Sequence, residues 1–84
     1  MFYEDVSFVL GSKLCKAILE QLNSSKEPMT PFQLSKNTDI ARSNISTKLG
    51  LLSKRGLVRC INPDVRKWRF YEITKKGREV LEKA

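Results

Sequence analysis

Apolar residues return every three or four positions along most of this chain, and only after Gly56 does the pattern turn to alternation. Phe2, Tyr3, Val6, Val9 and Leu10 have roughly helical spacing, so a first helix either closes the core or pairs with a second copy. Leu14, Ile18, Leu19 and Leu22 make one apolar face of a second helix, which Ser12 is placed to cap. Asn23 to Pro28 has turn chemistry and ends it. Thr30, Pro31 and Gln33 form a capping box with proline at the first helical position. Phe32 and Leu34 are the expected buried residues of this short third helix. Lys36 to Asp39 then turns the chain, with Asn37 expected to take the left-handed backbone. Ile40 is expected to plug the core.

A fourth helix is predicted over about 41–55. Ile45, Leu49 and Leu52 fall on one face, while Arg42, Ser43, Asn44, Ser46, Thr47 and Lys48 fall largely on the other. Gly50 is read as a point of close helix approach, and Gly56 as the left-handed stop. Leu57 to Ile61 is β-branched and apolar and predicts a strand. Residues 62–67 predict a loop and Trp68 to Ile73 a second strand. Arg69, Tyr71 and Ile73 would share one face, and Trp68, Phe70 and Glu72 the other. The result is a hairpin with a basic tip. Thr74 caps a last helix with Val80, Leu81 and Ala84 inward. The fold class is therefore mainly α with a small β-hairpin, α+β.

Eighty-four residues make one domain, 1–84, with one small core. No apolar run approaches the roughly 18 residues of a membrane span. The N-terminus places acids before its short apolar stretch, which is the wrong order for a secretory signal, so a cytoplasmic protein is expected.

Charge sharpens the picture. Residues 1–39 carry four Lys against five acids, whereas residues 40–78 carry eleven Lys and Arg against two acids. The whole excess behind the net charge of +7 begins with the fourth helix. Such a concentrated basic stretch is the electrostatic footprint of a nucleic-acid binder.

Candidate chemistry narrows the classes further. The chain has no histidine, no Gly-rich phosphate loop and no paired-carboxylate motif, so an enzyme is not expected. Cys15 and Cys60 are the two cysteines. Both lie among aliphatic neighbours and read as small buried hydrophobes, not as ligands in the close pairs zinc requires. Reduced thiols suit an intracellular protein. No cofactor, metal or small-molecule effector is expected.

The succession of three helices, hairpin and helix resembles the winged helix-turn-helix regulators of the MarR and ArsR superfamily, and among them small archaeal transcriptional regulators. TPFQLSKNTDIARSNISTKLGLLSKRGLV corresponds to the helix-turn-helix, NPDVRKWRFYEIT to the wing and ITKKGREVLEK to the closing helix. Ala41 stands where such regulators usually place a Ser or Thr cap, leaving Asp39 as an alternative cap. Trp68 stands where a small residue, often Gly, is usual. The Cys-rich motif of ArsR-type metal sensors is absent from the fourth helix. The extra dimerisation helices of MarR-type ligand sensors would need a longer chain.

The resemblance implies sequence-specific binding of double-stranded DNA and transcription regulation. The helix at about 41–55 would enter the major groove, and the wing at about 57–73 would lie on the backbone or minor groove. Arg42, Ser43, Asn44 and Thr47 would face base edges, with Ser46 on the same surface. Lys48, Lys54 and Arg55 would meet phosphates, Thr30 and Gln33 would add backbone contacts, and Arg59, Arg66, Lys67 and Arg69 would hold the wing. A homodimer would double a small interface, through the N-terminus and last helix. Two rivals are an RNA-binding module and a protein-interaction winged helix. The lack of an aromatic stacking platform counts against single-stranded RNA, while Trp68 and Phe70 favour a protein partner.

Overall fold

Helices come first along residues 3–84, the part of the chain described by the computed structural model: α1 (Tyr3–Leu10), α2 (Lys13–Ser24), α3 (Pro31–Thr38) and α4 (Arg42–Lys54). The antiparallel strands β1 (Val58–Cys60) and β2 (Tyr71–Ile73) and the closing helix α5 (Lys75–Lys83) follow. Phe2, assigned to the first helix on spacing, lies outside the described residues.

Side-chain chemistry written into the sequence sets the helix ends. Ser12 accepts a hydrogen bond from the Cys15 amide, and Thr74 accepts one from Gly77. Thr30 and Gln33 complete a reciprocal capping box. α4 stops in a Schellman arrangement: Gly56 takes φ 75°, its N–H donates to Ser53, and the Leu57 N–H donates back to Leu52. Leu52 and Leu57, the apolar pair that accompanies this motif, are both fully buried.

The core lies where the helices meet. Cys15, Ile18, Leu19 and Leu22 of α2 pack with Leu34, with Ile45, Leu49 and Leu52 of α4, and with Leu57, Val58, Ile73 and Val80. Val9 of α1 joins them, and Ile40 is packed against the cluster. In the register Val58–Ile73, both partners face this core and Arg59–Glu72 faces out. β2 also bridges Met29 on its other edge, through N–H···O bonds of 2.9 and 2.8 Å, which ties the start of α3 to the wing.

Glycine is required at Gly77. A Cβ there would stand 2.1 Å from the Leu57 carbonyl oxygen and 2.7 Å from Ile73 Cγ1. The first turn of α5 is thereby pressed onto the hairpin.

Several expectations need correction. Phe32 is 47% exposed, because two positions along a helix from Leu34 is the opposite face. Asn37 stays helical, and the left-handed residue is Asp39 at φ 62°. Asp39 ends α3 and is not the cap of α4, whose N-cap is Ala41 with no side-chain cap bond. Among the described residues nothing lies within 4 Å of where a Cβ on Gly50 would stand, so it marks no helix crossing. Cys60 is half-buried, unlike Cys15. The second strand starts at Tyr71, not Trp68. Trp68 adopts φ 61°, and Asn62 takes over the pairing role by donating to the Trp68 carbonyl and accepting from the Phe70 amide. Among the described residues no helix is long and apolar enough to cross a membrane.

Candidate nucleic-acid interface

The turn between α3 and α4 is fixed from inside. The Ser35 hydroxyl donates to the Ile40 carbonyl at 2.6 Å, and the Asp39 amide donates to Ser35 at 2.9 Å. With Ile45, Leu49 and Leu52 buried, α4 turns its remaining faces outward. Ser43, Asn44 and Thr47 are exposed, as is Lys54. The Thr47 hydroxyl donates to the Ser43 carbonyl at 3.0 Å, leaving its oxygen able to accept. Lys48 is half-buried on the flank away from the wing.

The other flank of α4 faces the wing across a groove of about 720 Å³. Arg42, Ser46 and Gly50 line it from the helix, Phe32 from α3, and Arg66, Lys67, Trp68 and Arg69 from the wing loop. Gly50 leaves its floor open. The Met29–Tyr71 bridge holds the two walls together. Arg42 stands over the Phe32 ring at 5.8 Å and Lys36 at 6.0 Å, so an exposed aromatic carries two cations at the groove's edge.

Not every expected cation is free to meet a ligand. Arg55 is tied inward: its guanidinium bonds Asp5 at 3.0 Å and lies 4.1 Å from the Phe8 ring centre. Arg59 pairs with Glu72 across the hairpin. Arg69 clamps the wing loop, donating to the Val65 and Pro63 carbonyls at 2.6 and 3.2 Å. Thr30 is 4% exposed and its hydroxyl serves the cap. Gln33 uses its carbonyl oxygen on Thr30 and is otherwise exposed. Arg66 and Lys67 are exposed with no partner among the described residues.

The residues that sequence reasoning missed are Phe32 and Lys36, and it left Trp68 without a place in the site. Phe32 was legible from its two-residue offset from Leu34. Lys36 was legible from its position four residues on, one helical turn above Phe32. Phe32, Trp68 and Tyr71 on one groove also correct the expectation that no aromatic platform accompanies the basic surface.

Behind the interface, Asp5 anchors the far ends of three helices. It accepts from Arg55 at 3.0 Å and pairs with Lys76 at 3.1 Å. Burial opposes its ionisation, but the hydrogen bonds and charges of Arg55 and Lys76 outweigh it and hold its carboxyl below the usual value. Among the described residues, no group of three His, Cys, Asp or Glu side chains could hold a metal ion.

A family model described as a helix-turn-helix domain matches residues 10–61. Among solved structures, a MarR family transcription regulator superposes with a TM-score of 0.73 at 26% identity, over 84% of this chain and 47% of that one. The transcriptional regulator MosR of M. tuberculosis gives the same TM-score at 20% identity, over 98% of this chain and 58% of its own, a likeness of fold. The chain thus spans about half the length of these regulators. Comparison with curated proteins gave no match.

Proposed function

The chain belongs to the helix-turn-helix domain family, and from that premise we propose that it is one winged-helix domain that binds double-stranded DNA sequence-specifically and regulates transcription. One observation carries this reading: the start of α4 and the tip of the wing put cations and polar side chains on the two walls of a single groove. A rod with Ser43, Asn44 and Thr47 outward suits the major groove, where amide and hydroxyl groups meet base edges. Arg42 and Ser46 flank it towards the wing. Arg66 and Lys67 reach the neighbouring backbone or minor groove, and Lys48, Lys54 and Gln33 meet phosphates. Arg55, Arg59, Arg69 and Thr30 act one step behind, holding helix, hairpin, loop and cap.

The protein works by binding and not by catalysis, in the cytoplasm with the DNA. Exposed Tyr3 and Leu10 on α1 suit pairing of two copies on a symmetric site. Selection of bound sequences from random duplexes tests the reading. One recurring motif is expected, with binding that weakens steeply as salt rises and that favours the duplex over a matched RNA. Equal retention of all duplexes would overturn sequence specificity, and equal binding of the RNA would favour the RNA module.

A further inference from the structure

We infer that Trp68 is a DNA-contacting residue: its indole packs on the sugar and base edges of the strand lying between α4 and the wing. This rests on the duplex-binding reading. Three observations lead to it. First, Trp68 holds φ 61°, a left-handed backbone that favours Gly and disfavours bulky side chains. Second, that strained residue is clamped in place. Asn62 bonds the Trp68 carbonyl and the Phe70 amide, and Arg69 bonds the carbonyls of Val65 and Pro63. Third, the clamp does not bury the ring. Trp68 is 68% exposed and lines the groove opposite Arg42 and Ser46. A large aromatic kept at a strained, solvent-facing position contributes little to the fold that Gly would not, so its use lies outside the chain.

Charge complementarity names the occupant. Arg42, Arg66 and Lys67 border the same groove, which suits a polyanion. The apolar ring between these cations meets the apolar part of a nucleotide, its deoxyribose and base, while the cations meet its phosphates. The wing then holds DNA by two separable forces, one screened by salt and one not.

Trp68 is the only tryptophan, so the intact protein reports on itself. Duplex binding is followed by the anisotropy of labelled DNA, and Trp68 by its emission and its quenching by acrylamide. Saturating duplex is expected to shift the emission and shield it from acrylamide. Trp68→Gly is expected to melt no lower than wild type, since it relieves the left-handed strain. It should nevertheless bind about tenfold more weakly at every salt concentration, with the log–log salt slope unchanged. Trp68→Phe should retain most of the affinity. If anisotropy shows saturated binding while emission and acrylamide quenching stay as in the free protein, the inference is overturned although the DNA reading stands. If anisotropy shows no binding at all, it is the DNA reading that fails.

Discussion

Arg42 and Asn44 stand two positions apart at the start of α4 and therefore face different surroundings. Arg42 leans over the Phe32 ring on the wing side, whereas Asn44 is exposed and has no partner among the described residues. A free carboxamide offers a donor and an acceptor together, the pair that adenine presents in the major groove. Asn44→Ala is expected to cost about 1–3 kcal/mol on a preferred duplex and far less on random DNA. Competition binding on both duplexes checks it, and equal losses would remove Asn44 from base reading. The outward face of α4 was legible in the sequence because helical spacing alone separates it from Ile45, Leu49 and Leu52. The role of Arg55 was not. Its partner Asp5 is fifty positions away, and no local pattern announces a contact made only once the chain is folded.

Elements were legible where they carry their own end signals. Ser12, Thr30, Gly56 and Thr74 mark four helix boundaries through local hydrogen bonds or a left-handed turn. The wing was only partly legible. Alternation predicts six residues of strand after the loop, but a side chain, Asn62, replaces the ladder at Trp68 and leaves three. Two tests address these elements. Leu49→Ala leaves a cavity in the face that orients α4 and is expected to cost about 2–5 kcal/mol. Lys48→Ala next to it should change stability by under about 0.5 kcal/mol. Thermal melts of the two decide the phase of the helix, and a wild-type melt for Leu49→Ala would mean another face is buried. At the wing, Arg66→Ala with Lys67→Ala should weaken binding to all duplexes alike and make the salt slope shallower by roughly 1–2. A slope identical to wild type would take the wing tip off the DNA.

Across the whole molecule, the basic bias of residues 40–78 is real but only part of it points outward. Arg55 and Lys76 turn inward onto Asp5, and Arg59 is matched by Glu72. The inward pair has a structural consequence. Asp5 belongs to α1, Arg55 caps the end of α4, and Lys76 lies in the first turn of α5, so one carboxylate joins three helices, including the one that bears the proposed base-reading residues. Its carboxyl is held below the ordinary value of 3.8, because the two cations outweigh the effect of burial. A carboxyl with a depressed folded value stabilises fully above its unfolded value, and that contribution disappears as pH falls through the folded one. Asp5→Asn is therefore expected to melt below wild type at neutral pH, with the gap closing as pH drops beneath 3.8. Melts of both proteins across that range are the measurement. A gap that stays constant with pH would mean that Asp5 acts through shape alone, and that its charge does not hold α1, α4 and α5 together.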